Sequence, residues 1–198
     1  MVMQAPLTSG PASRHSYPGA GVGSEAKGKR VKLKRGDLFE FSASDSRLGY
    51  GVVVSPGGVL EAIFLPTLHV SQPPLEVLAR DQPALIGSTM DALFFHRRWV
   101  VVGHDFPLAN DLPFPNWKVR MNGELYAADF EGRTLWPIQA EEVELLDFKS
   151  SASPITYQHA VEAMNGLRAW EDYYDALTFD YAKRRVTRDR DGRYIARR

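Results

Sequence analysis

The chain has 198 residues, 44% of them hydrophobic, enough for one domain with a real core plus tails. It has no cysteine, which excludes a disulfide framework, a thiolate metal site and a cysteine nucleophile. Its net charge is zero, yet residues 1–35 and 183–198 each carry +6 while the body between them, 36–182, carries −12. No basic start runs into an apolar stretch and no window of about 18 apolar residues exists, so the expectation is a cytoplasmic protein with no signal peptide and no membrane span.

Residues 1–30 are rich in Gly, Ser, Pro and Ala and have no apolar period, the composition of a disordered tail. Gly23 to Arg30 nearly spells a phosphate-binding loop. Arg30 stands where Ser or Thr should hold magnesium, and no strand precedes it, so we read it as coincidence. The single domain is expected over 31–182. Lys32 to Phe41 reads as a first strand and Tyr50 to Val54 as a second. Ser42, Ser44, Asp45 and Ser46 form the turn between them, and Gly49 and Gly51 suggest a bend where the backbone needs room. Ser55-Pro56-Gly57-Gly58 is a turn, and Val59 to Leu65 pairs back as a buried strand stopped by Pro66. Residues 72–80 suggest a short helix or an extended loop, Ala84 to Ser88 a strand, and Met90 to Phe95 either a helical turn or a strand end. Arg98 to Gly103 is a further strand. The proline-rich stretch from His104 to Trp117 is an irregular loop whose Phe114 and Trp117 either cover the core or meet a partner.

Asn122-Gly123 is the best short hairpin signal in the chain, between Lys118–Met121 and Glu124–Asp129. A turn at Glu131-Gly132 leads to Arg133–Ile138. Gln139 to Phe148 reads as a short helix whose Glu141, Glu142 and Glu144 form a solvated face, with Asp147 a further carboxylate beside Val143, Leu145, Leu146 and Phe148. Ser153 and Pro154 suit an N-cap and first helical position, and Asn165-Gly166 breaks or bends the helix that follows. Trp170, Tyr173, Tyr174, Leu177 and Tyr181 then recur at helical spacing, an apolar stripe most of which is expected in the core, with Glu171, Asp172 and Asp175 on the outward face. Lys183 to Arg198 is a basic tail, frayed, folded back on the acidic body or simply solvated. The fold class that follows is α+β: a bent antiparallel sheet or partly open SH3-like barrel packed by C-terminal helices.

Little in the chain suggests bond chemistry. The five histidines lack zinc-ligand spacing, and there is no Gly-x-Ser-x-Gly elbow for a serine nucleophile. No catalytic residue, cofactor or metal is assigned. Basic runs at Lys27–Arg35 and in the C-terminal tail could neutralise phosphates, but the acidic body would repel a duplex, so nucleic acid is not the favoured partner.

The opening Gly36-Asp37-Leu38-Phe39-Glu40-Phe41, followed by Gly49-Tyr50-Gly51 running into Val52-Val53-Val54, resembles the immunity protein 26 family of bacterial polymorphic toxin systems. Arg97-Arg98-Trp99-Val100-Val101-Val102-Gly103 and the proline-led helix at Ser153-Pro154 also resemble it. The likeness covers roughly residues 31 to 180, and its motifs are structural rather than chemical. It implies a protein that is not an enzyme and that neutralises, by stoichiometric occlusion, a cognate secreted toxin such as a nuclease with a basic face. An SH3-like interaction module unrelated to toxins, or nucleic-acid binding through the tails, are the alternatives. The residues expected to meet the partner are Phe114, Trp117, Glu141, Glu142, Glu144, Asp147, Glu171, Asp172 and Asp175. Acids speed encounter and aromatics hold the complex.

Overall fold

The computed structural model describes residues 31–57, 59–107, 112, 114–188 and 193. The disorder expected of residues 1–30 and the near-miss phosphate loop lie outside the described residues. So does most of the expected tail beyond Arg188.

Alternating side chains make the first sheet two-sided. Strands β1 (Leu38–Ser42), β2 (Leu48–Ser55), β3 (Leu60–Phe64) and β4 (Leu85–Thr89) follow one another as antiparallel neighbours. Strand β5 (Trp99–Gly103) returns to the free side of β1, giving the order β4-β3-β2-β1-β5. The sheet is open, and both of its faces are covered. On one face Phe39, Phe41, Val53, Phe64 and Trp99 pack against Tyr157, Ala160 and Val161. Those last three come from the helix Pro154–Met164. On the other face Leu38, Tyr50, Val52, Ile63 and Ile86 meet Leu78, Phe130, Phe179 and Ala182. The period of two in Leu38-Phe39-Glu40-Phe41 therefore feeds two cores rather than one core and solvent.

Gly49 and Gly51 serve the first core. They stand opposite Phe41 and Phe39 in the β1–β2 register. A Cβ on either glycine would come to 2.3 Å from the phenyl ring across the strand. The room anticipated at Gly-Tyr-Gly is thus taken by two rings lying flat over backbone. Those rings complete an aromatic cluster in which Phe39 stacks on Trp99 at 4.8 Å between centroids and Phe64 on Tyr157 at 4.8 Å.

A second sheet holds β6 (Trp117–Met121), β7 (Glu124–Ala128) and β8 (Leu135–Pro137). The β6–β7 turn is Asn122-Gly123, with φ of 51° and 88°, both left-handed as a tight hairpin requires. Nothing lies within 4 Å of the Cβ that Gly123 lacks, so Gly123→Ala should cost only backbone strain. We expect a loss of about 1 kcal/mol in denaturant unfolding. One buried ion pair ties the chain after this sheet to the first sheet. Glu61, 2% exposed, accepts from Ser88 Oγ at 2.6 Å and lies 2.7 Å from Lys149 Nζ, which also donates to the Phe130 carbonyl at 3.1 Å.

The helices are α1 (Leu75–Leu78), α2 (Ala92–Phe95), α3 (Ala140–Leu145), α4 (Pro154–Met164) and α5 (Phe179–Lys183), with a 3-10 helix at Asp172–Leu177. The ambiguous segment after Met90 is therefore helical. Pro154 opens α4 as expected, but the Ser153 side chain makes no cap hydrogen bond. Asn165 and the left-handed Gly166 end that helix. The α+β class, with helices concentrated after the strands, is the one the sequence implies.

The aromatic stripe after Gly166 departs from expectation. It is broken between the 3-10 helix and α5, and a 3-10 helix, with three residues per turn, aligns i with i+3 but turns i+4 to another side. Tyr174 is buried, whereas Trp170 is 39% and Tyr173 58% exposed. Phe179 and Ala182 take the core positions instead. Of the readings open for the C-terminal segment, residues 184–188 take the folded-back one: α5 runs to Lys183, and the chain beyond it lies on the acidic body.

Candidate partner-binding surface

The run Trp170-Glu171-Asp172-Tyr173-Tyr174-Asp175 builds the most distinctive exposed surface. Tyr174 is its anchor, 1% exposed in the core under α4. Trp170 meets the Tyr174 ring edge-on at 5.3 Å and Tyr173 meets it at 4.5 Å. The Trp170 indole N–H donates to Asp175 Oδ1 at 2.8 Å, clipping the two ends of the segment together. Two large aromatics are thus held in fixed poses at the surface. Glu171, Asp172 and Asp175 are exposed around them. Sequence reasoning placed those three acids outward, as the structure does, but put Trp170 and Tyr173 in the core. Acids and aromatics fall on opposite faces of a regular α-helix, so the spacing carried no signal of that exposure.

The α3 acids divide. Glu141 and Glu144 are exposed, whereas Glu142 is fully buried and so is no part of a solvated face. The cause is a capping box. Glu142 Oε2 accepts from the Gln139 backbone N–H at 2.8 Å, and Oε1 lies 2.8 Å from Thr187 Oγ1 and 3.4 Å from both Trp136 Nε1 and Arg188 Nε. Its carboxylate is already occupied and cannot reach a partner in this conformation. Burial alone would raise its pKa. The backbone N–H of Gln139, the Thr187 hydroxyl, the Trp136 indole and the Arg188 charge outweigh that and hold it below the ordinary glutamate value. A lowered folded-state pKa contributes stability that is complete above the unfolded-state value and is lost as pH falls through the folded one. Stability should therefore decline on acidification below the ordinary glutamate range, and Glu142→Gln should flatten that decline in urea titrations run at successive pH values.

Asp147 is half-exposed and paired, 2.8 Å from Arg185 Nε and accepting from Tyr181 Oη at 3.1 Å. Phe114 and Trp117 pack on the second core. Phe114 stacks on Phe130 at 5.0 Å, and the Trp117 indole donates to the Phe130 carbonyl at 3.2 Å while its ring packs on the second core. Both remain partly exposed. Trp117 and Asp147 line a small cleft of about 120 Å³ with Ser88, Ser150, Ser151, Tyr157 and Leu177. That cleft brings the end of the 3-10 helix beside the chain leaving α3. Burial, and then the Glu61 charge, push the Tyr157 phenol up, so it stays protonated and donates to the Ser88 carbonyl at 3.2 Å. Ser88 Oγ is itself engaged by Glu61.

His104 has its Nδ1 2.6 Å from Oδ1 of the buried Asp37. Asp37 Oδ2 accepts from the Lys34 N–H at 2.8 Å, which makes the acid of the Gly-Asp opening a turn former. Among the described residues no three His, Asp or Glu side chains gather as a metal site would need. No helix among them is long and apolar enough to cross a membrane. No family model, curated protein or solved structure matches the chain.

Proposed function

We propose that this protein is an immunity protein that binds a cognate bacterial toxin in the cytoplasm of the producing cell and neutralises it by covering a basic surface. The observation that carries this reading is the pre-set aromatic pair Trp170 and Tyr173, ringed by Glu171, Asp172 and Asp175. Tryptophan and tyrosine dominate tight interfaces because they bury large area with little rotamer entropy to lose. Carboxylates around them steer a cationic partner and set orientation. Glu141 and Glu144 on α3, with the half-exposed Asp147, extend the same sign of potential. The −12 charge of residues 36–182 acts at longer range. The resemblance of Gly36–Val54 and Arg97–Gly103 to immunity protein 26 points the same way. The action is steric and electrostatic, with no bond made or broken.

Steering has a kinetic signature. Reversing Glu171 and Asp172 to lysine should lower the association rate with a toxin encoded beside this gene by about tenfold in low salt, with less effect in high salt. Stopped-flow mixing of the two purified proteins measures this directly. An association rate unchanged at every ionic strength would remove this face from the interface.

A further inference from the structure

We propose that the slot between the three-stranded sheet and α3 is a binding site for an extended, arginine-bearing peptide segment, held here by the chain's own residues 185–188 and exchangeable for the same segment supplied in trans. The inference stands whether or not the toxin reading does.

The recognition has the form of a peptide site. Asn116, 4% exposed, reads backbone: its Oδ1 accepts from the N–H groups of Thr187 and Arg188, both at 2.8 Å, and its own N–H donates to the Arg185 carbonyl at 3.1 Å. These bonds fix chain direction and register whatever the side chains are. Side chains then supply selectivity. Thr187 Oγ1 lies within 2.8 Å of both Asn116 Oδ1 and Glu142 Oε1, so a hydroxyl fits that buried point. The two arginines each meet a carboxylate and an aromatic face. Arg185 pairs with Asp147 and sits 3.4 Å above the Tyr181 ring. Arg188 lies 3.4 Å from Glu142 and 5.2 Å above Trp136. A carboxylate plus a ring face is how proteins hold guanidinium groups in extended ligands.

The attachment is also local. Helix α5 ends at Lys183, and among the described residues 184–188 none belongs to a strand of either sheet. Of residues 184–188 Thr187 alone is buried. A segment with so few buried apolar contacts opens without unfolding the domain. What it uncovers is a preformed donor–acceptor pattern flanked by Glu142 and Asp147.

The test uses a fluorescent synthetic peptide of residues 183–198 and two full-length proteins, the unaltered chain and one carrying Thr187→Ala with Arg188→Glu. Weakening the resident segment should raise affinity for the added peptide by at least about tenfold, since charge-assisted bonds are lost only in cis. Adding Glu142→Gln should remove most of that gain. Equal affinity in the two proteins, binding to neither, or equally tight binding of a scrambled peptide would overturn the proposal. Hydrogen exchange on the unaltered chain gives a second readout that needs no substitution. Amides of residues 185–188 should exchange about 100-fold faster than those of β2 and β3, after correction for intrinsic rates. Exchange at the core's own rate would mean the segment leaves only when the whole domain unfolds, and would equally overturn it.

Discussion

Gly51→Ala is expected to destabilise the protein by about 3 kcal/mol, near the upper end for overpacking a tight core. The new methyl group would stand 2.3 Å from Phe39 Cζ and 2.8 Å from the Ile63 carbonyl oxygen. The phenyl ring cannot simply turn away, because it stacks on Trp99 and meets Phe64 and Phe94 edge-on. The Ile63 carbonyl belongs to the neighbouring strand and can shift only with it. A domain of this size should lose about 10 °C in Tm. Pairing Gly51→Ala with Phe39→Leu should recover part of the loss, by relieving the ring contact and leaving the carbonyl contact. Strict additivity of the two changes in urea unfolding would show that Phe39 is not the obstacle.

The second large effect falls on binding rather than folding. On the proposed function, Trp170→Ala should weaken the complex with the toxin by about 30-fold or more, the scale of an interface hot spot. Tyr173→Ala should cost somewhat less, since its ring offers less area. Both residues already lie partly in solvent, and Tyr174 carries the local core contact, so thermal stability should move little. Loss of affinity should appear in the dissociation rate, in contrast to the lysine reversals at Glu171 and Asp172, which act on encounter. A large fall in Tm with Trp170→Ala would instead mark that indole as structural. The Trp170–Asp175 hydrogen bond would then be holding the 3-10 helix in place.

Local rules carried the sheet. The hairpin at Asn122-Gly123, the stop at Pro66 and the β-branched run Val52-Val53-Val54 are decided by neighbours in sequence, and each appears where those rules place it. Side-chain partnerships across long separations were harder to see. Gly49 and Gly51 are legible as glycines needing space, but only the register with Phe39 and Phe41 says what fills it. Glu142 looks like its neighbours Glu141 and Glu144. Its burial follows from a capping box closed by Gln139 and from Thr187, 45 residues away. The stripe Trp170–Tyr181 obeys helical spacing yet is cut by a change from 3-10 to α geometry, a tertiary outcome that periodicity cannot express. Charge counting exposed the contrast between body and ends. It did not reveal that part of the C-terminal charge is neutralised in cis by Asp147 and Glu142.

Co-expression with a toxin gene found beside this one, followed by copurification and titration of toxin activity, tests the central claim most directly. The account predicts survival of the cells, a complex of equal stoichiometry, and toxin activity that falls linearly to zero at one equivalent of this protein. Protection by far less than one equivalent would reveal turnover, and absence of both protection and complex would show that the protein has another task; either result contradicts neutralisation by occupancy.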